Sequence, residues 1–138
     1  MLSSTNVLDV RPLTRLFRAL GDETRLRIVA LLSHGELCVC HLESALDLNQ
    51  FTASRHLGIL KAAAIVDSRR EETSVYYSIT EQEHATVAKA LDVLTKTFSA
   101  ERALRADHAK LRSRAARTCA RRDHGAACAS QPSHHFGR

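Results

Sequence analysis

Leu13, Leu16, Phe17 and Leu20 fall at i, i+3, i+4 and i+7, the spacing of one apolar helix face. Gly21 ends that helix, and Asp22 is placed to cap a second running to about Ser33, with Leu26, Val29 and Ala30 as its stripe. Gly35 breaks the chain. A short helix is predicted from Val39 to Leu46, with Leu42, Ala45 and Leu46 inward, then a tight turn at Asp47-Leu48-Asn49. Asn49 is a good N-cap for a helix to about Ala63. The pattern then changes: Ile65–Arg70 and Ser74–Ile79 are β-prone and joined by the polar Glu71-Glu72-Thr73, a two-stranded hairpin. Val87, Leu91, Leu94 and Phe98 restore the helical period, which Leu104, His108, Leu111 and Ala115 extend to about Arg117.

Helix, helix, short helix, turn, helix, hairpin, long helix is the order of a winged helix-turn-helix, mainly α with a β-hairpin wing. The apolar stripe of the terminal helix requires a cover, and pairing with a second subunit, a homodimer, is the simplest one. The predicted organisation is an arm over 1–11, the winged domain over 12–98, a helical extension over 99–117 and a disordered basic tail over 118–138.

The 138 residues, 44% hydrophobic and 25% charged, suit one soluble globular domain with tails. No apolar run reaches the length of a membrane span and the first residues lack a leader's apolar stretch, so a cytoplasmic protein without a membrane partner is expected. The net charge of +5 is uneven, with −1 over residues 1–98 and +6 over 99–138. A basic tail can be merely solubilising, so charge alone decides little. No paired acid/base constellation, nucleophile elbow or phosphate loop is present, and an enzyme is not expected.

With Ala53, Leu57 and Leu60 inward, a turn of about 100° per residue puts Arg55 on the opposite face of its helix, flanked by Thr52 and Ser54, with Gln50 at the exposed start. Arg can read guanine edges, Gln can read adenine, and hydroxyls can hold phosphates. Gly58, close to the outward face, leaves room for another backbone to approach. A merely solvated face would carry similar residues; the turn before this helix and the hairpin after it favour double-stranded DNA.

Three segments in order resemble the ArsR/SmtB family of winged-helix metalloregulatory repressors: Leu20–Ile28 its second-helix opening, Asn49–Leu57 its recognition-helix signature, and Val75-Tyr76-Tyr77 its wing. The resemblance covers about residues 12–98 and implies a dimeric repressor that leaves its operator when an inducer binds. It supports DNA contact by Gln50, Thr52, Ser54, Arg55 and His56; in the wing, Arg69 and Arg70 are the candidates for backbone contacts. Two positions depart from the family pattern. Ala64 stands where the family usually has Gly, which would cost on the order of 1 kcal/mol if that backbone is left-handed. The wing tip reads Glu71-Glu72-Thr73 instead of carrying Gly, and its acidity disfavours phosphate contact.

Glu36–Leu42, reading ELCVCHL, resembles the family's metal-box and points to Cys38 and Cys40 as ligands. In mid-helix two such side chains would diverge by roughly 200°. At a helix start, however, Cys38 can remain extended and turn its sulfur toward Cys40, where the helix N-terminus favours the thiolate. Two convergent thiolates suit soft ions: As(III) or Sb(III), alternatively Cd(II) or Pb(II). Two buried apolar thiols would look the same without the surrounding motif. Glu43 stands where arsenic-responsive relatives often carry a third Cys, and the N-terminal arm has none, which leaves Cys119 and Cys128 in the tail to complete the metal site. Leu94 and Thr97 replace the second ligand pair of a helical zinc site, despite Glu81, Glu83 and His84 at the first. His41 reads as a polar surface residue. A thiol-redox repressor is the remaining alternative.

Overall fold

The computed structural model describes residues 9–121, with side chains as far as Ala115. Helix α1 (Arg11–Leu20) starts with proline in its first turn and buries Leu16, Ala19 and Leu20. Phe17, placed on the inward face by the spacing, is instead 56% exposed. Helix α2 (Glu23–Leu32) is capped by the Asp22 carboxylate, which accepts from the Arg25 amide at 3.2 Å. It buries Ile28 through Leu32 as the centre of the core. Gly35, at φ 140°, makes the break that follows.

The next segment departs from the expected two-stranded hairpin. Leu37–Cys38 forms a short strand, β1, antiparallel to β3 (Ser74–Ile79), with Leu37 opposite Tyr77 and Cys38 opposite Tyr76. The wing pair β2 (Val66–Glu71) and β3 completes a three-stranded sheet in the order β1-β3-β2. Two residues are too few for a readable alternation, which is why β1 escapes a pattern reading. Cys38 at φ −66°, ψ 142° is extended, as expected, and the chain turns directly from it into α3 (Val39–Leu46).

Helix α3 ends at Asp47, whose backbone is left-handed at φ 54°. Asn49 then caps α4 (Gln50–Ala62), its side chain accepting from the Thr52 amide at 2.8 Å. The α4 terminus is a Schellman turn: the Ile65 amide reaches Leu60 O at 3.0 Å and the Ala64 amide reaches Lys61 O at 2.9 Å. Ala64 sits at φ 58°, the left-handed geometry in which a glycine would be at ease.

The predicted long last helix is two helices. Helix α5 (Ala85–Thr97) passes through a 3₁₀ turn at Phe98–Ala100 into α6 (Arg102–Arg121), which runs four residues beyond the expected end. Helix α6 packs chiefly against α3 and also against α2. Its stripe is thus partly covered within the same chain, where a second subunit was the expected cover: Leu111 is buried in the common core and Asp107 is 1% exposed, while Leu104, His108 and Ala115 are half-buried. The arm before residue 9 and the expected tail from residue 122 lie outside the described residues. No helix among the described residues is long and apolar enough to cross a membrane.

Candidate nucleic-acid interface and thiol site

Helix α4 divides along its length. Ala53, His56, Leu57 and Leu60 are buried, at i, i+3, i+4 and i+7. Gln50, Phe51, Ser54, Arg55, Gly58 and Ile59 are exposed, and Thr52 is half-buried. The expected readers Gln50, Ser54 and Arg55 thus share the outward side of the second helix of the helix-turn-helix, with Thr52 at its margin.

His56 differs from the expectation. It lies three residues after Ala53 on the inward face, with Nδ1 3.3 Å from Arg25 and 3.8 Å from the Asp22 carboxylate. It ties α4 to the start of α2 and is not on the outward side with Gln50, Ser54 and Arg55. The motif carried it into the set of contacts; the helical period alone places it in the core.

The wing arginines fare differently from each other, as alternation along a strand requires. Arg69 lies over the Tyr76 ring, 4.6 Å from its centroid, grips the Glu36 carboxylate at 2.6–3.0 Å and reaches Glu71 at 2.8 Å. Glu36, then Glu71, hold its guanidinium charged, above even the ordinary arginine range. Arg70 is exposed on the other side, and among the described residues no carboxylate forms an ion pair with it. Arg69 therefore ties the wing to the segment before Cys38, whereas Arg70 remains open to solvent.

The two thiols come together as the helix-start geometry predicts. Cys38 Sγ and Cys40 Sγ are 2.8 Å apart, well beyond the roughly 2.05 Å of a disulfide, and both residues are buried. Their shared neighbour in a small buried cluster is Tyr76 of β3. The same Tyr76 ring thus has the thiol pair on one side of its surroundings and Arg69 over its face. His41 is half-buried. Among the described residues no group of three or more His, Cys, Asp or Glu is placed to hold a metal ion. Cys119 falls within the backbone span of α6, with its side chain outside the description, and Cys128 lies outside the described residues altogether.

Residues 22–68, from the cap of α2 to the first wing strand, match the model of the bacterial regulatory proteins of the arsR family. The chain is 46% identical over 79 residues to the arsenical resistance operon repressor of Escherichia coli K12, covering 56% of this chain and 68% of that one. The chain belongs to the arsR family. It is a winged helix-turn-helix transcriptional regulator. It is also 40% identical over 82 residues to a CadC homolog of Staphylococcus aureus, a cadmium resistance transcriptional regulatory protein, covering 59% of this chain and 65% of the other. Among solved structures it resembles the transcriptional repressor BigR of Xylella fastidiosa, with 31% identity, TM-score 0.56, and 65% and 86% of the two chains covered. The homodimeric winged helix-turn-helix domain Mb0332 of Mycobacterium bovis matches with 31% identity, TM-score 0.53, and coverages of 67% and 87%. As an arsR-family regulator the chain has its helix-turn-helix in α3 and α4, and its wing in β2 and β3.

Proposed function

We propose that this arsR-family protein is a homodimeric repressor that releases its operator when a thiophilic ion, As(III) or Sb(III) first among them, binds Cys38 and Cys40. The observation that supports this most directly is the buried pair of sulfurs 2.8 Å apart at the start of α3. Both sulfurs lie within reach of one ion with metal–sulfur bonds of about 2.3 Å, and thiolates are the donors that select soft ions over hard ones. Relatives named for arsenical and for cadmium resistance both match, so Cd(II) or Pb(II) is the competing inducer.

DNA is met by the outward side of α4, where Gln50, Thr52, Ser54 and Arg55 read bases or hold phosphates, with Arg70 of the wing on the backbone. Dimerisation falls to α1 and α5, which pack on each other and leave Phe17 and Val93 56% and 60% exposed. Cys119, which falls within the span of α6, is our candidate for a third thiolate.

Release follows from connectivity. Two sulfurs that share one ion at about 2.3 Å stand farther apart than 2.8 Å, so taking up the ion spreads them and displaces β1 and the first turn of α3. Helix α3 supports α4, and β1 is joined to the wing through Tyr76 and through the Arg69–Glu36 pair. An ion that binds the displaced arrangement more tightly shifts the population away from the DNA-competent one. The test is DNA binding titrated with As(III), Sb(III), Cd(II), Pb(II) and Zn(II). Release by a thiophile at lower concentration than by Zn(II) is expected; binding indifferent to all five refutes the sensing role.

A further inference from the structure

Phe51 is the most exposed large apolar side chain among the described residues, at 79%. It sits in the first turn of α4, one turn before Arg55, and its Asn49 cap and neighbouring Ala53 are packed or bonded without its help. Fold stability therefore gives no reason for an aromatic ring here: a side chain left in water contributes little to the core. A second apolar residue, Ile59 at 39% exposure, and a glycine, Gly58, continue the same outward side beyond Arg55. A Cβ added to Gly58 would meet nothing within 4 Å, so this glycine too is not required by packing inside the chain. The outward side of α4 is thus partly apolar and open at Gly58, as suits a helix that closes against another surface.

We infer that Phe51 is a specificity-determining residue of the DNA interface, packing its ring on the C5 methyl group of a thymine in the major groove. This rests on the DNA-binding reading of α4. The major groove presents one apolar group per A·T pair, the thymine methyl, and Phe is among the side chains that can contact it. The first turn of a recognition helix is the part that reaches base edges. Phe51 and Arg55 are separated by about 6 Å along the helix axis, so the thymine lies within about two base pairs of the guanine that Arg55 reads.

The experiment selects duplexes from a library randomised at twenty positions, using the full-length protein and its Phe51→Ala variant. The wild type should enrich a T near a G; the variant should keep the G and lose the T. In the enriched duplex that T is then replaced by deoxyuridine, which removes only the methyl. Wild-type affinity should fall about three- to fivefold, the size expected for one buried methyl, and that of Phe51→Ala should not change. The thermal midpoint of the variant should match the wild type, since the ring is in solvent. Identical selected sequences and an equal response to deoxyuridine in both proteins would overturn the role of Phe51 and leave DNA binding intact. A library from which the wild type enriches nothing would overturn the DNA reading and Phe51 with it.

Discussion

Arg27 and Asp107, eighty residues apart, meet in a two-point ion pair with both N–O distances at 2.6 Å. The carboxylate is 1% exposed and the guanidinium side chain 32%, so the acid is the desolvated partner. A buried charge stripped of its partner costs far more than the pair contributes as a whole. Arg27→Ala should therefore destabilise the fold by about 3 kcal/mol, and adding Asp107→Asn should restore part of the loss. Urea unfolding of the two single variants and the double variant checks this; additive losses would mean that the two side chains do not interact.

The same helix is tethered at its far end. Arg114 donates to Ser44 O and to the Asp47 carboxylate, both at 2.7 Å, and Lys110 approaches Asp47 at 3.5 Å. Asp47 is the left-handed residue of the turn between α3 and α4, and Arg114 holds its carboxyl below the ordinary aspartate range. Helix α6 thus grips the helix of the thiol pair and the turn of the helix-turn-helix together. Nothing in the sequence announces this. Leu104, His108, Leu111 and Ala115 show a helical stripe, but a stripe states only that a face is covered, not by what. The break at Phe98–Ala100, which turns α6 back onto its own chain, carries neither Gly nor Pro. By contrast α3, α4 and the wing strands were legible because caps, turn residues and the change of period mark their boundaries. The approach of Cys38 to Cys40 was legible for the same reason: the helix starts between them.

Gly58 inside α4 and Ala64 in the turn just past its end have their conformational preferences exchanged. Ala64 occupies a left-handed position at φ 58°, and Gln82 Nε2 donates to its carbonyl at 2.9 Å, an interaction a glycine would keep. Ala64→Gly should stabilise the protein by about 1 kcal/mol, read as a rise in thermal midpoint of about 4 °C. No rise would mean that the turn relaxes to a geometry alanine accepts.

Gly58→Ala should act the other way on function. A methyl there meets open space, so the helix gains about 0.5–1 kcal/mol from lost backbone freedom in the unfolded chain. The methyl also stands on the side proposed to close on DNA. Raised thermal stability with weakened DNA binding is expected, measured by thermal unfolding and by fluorescence anisotropy with the selected duplex. Undiminished affinity would show that DNA does not approach this part of α4.

His34 and His108 stack with ring centroids 3.8 Å apart and planes 19° apart, beside a pocket of about 260 Å³ that both line together with Arg105 and Arg112. Burial lowers the pKa of both below the ordinary 6.5, and for His108 the charges of His34 and Arg112 add to it. The unfolded chain therefore binds more protons than the folded one once the pH falls below about 6.5. Stability contributed by the neutral stack is complete above that pH and is lost as the pH falls toward the lowered values. Thermal midpoints should decline from pH 7.5 to pH 5, and His108→Gln should flatten the decline. An unchanged slope in the variant would assign the acid sensitivity to other groups.

The thiol site makes the most exacting prediction. Cys38→Ser and Cys40→Ser should each bind DNA close to normally, because neither sulfur lies on the outward side of α4, yet fail to release it when As(III) is added. Serine is nearly isosteric, so the buried pocket beside Tyr76 stays filled, but its oxygen is a hard donor that a soft ion rejects. The third position separates the tail cysteines. Cys119 lies within the span of a helix already gripped to α3 by Arg114, so its capture orders little additional chain. Cys128 is nine residues further along the sequence and would have to close a longer loop. In thiol-free buffer, Cys119→Ser should weaken As(III) binding at least tenfold, and Cys128→Ser should leave it unchanged. Titration followed by thiolate absorbance reads the affinity directly, and release of a labelled duplex reads its consequence. Full affinity in Cys119→Ser with loss in Cys128→Ser would exchange the two roles. Full affinity in both would leave Cys38 and Cys40 as the only protein ligands, with a solvent or buffer group as the third.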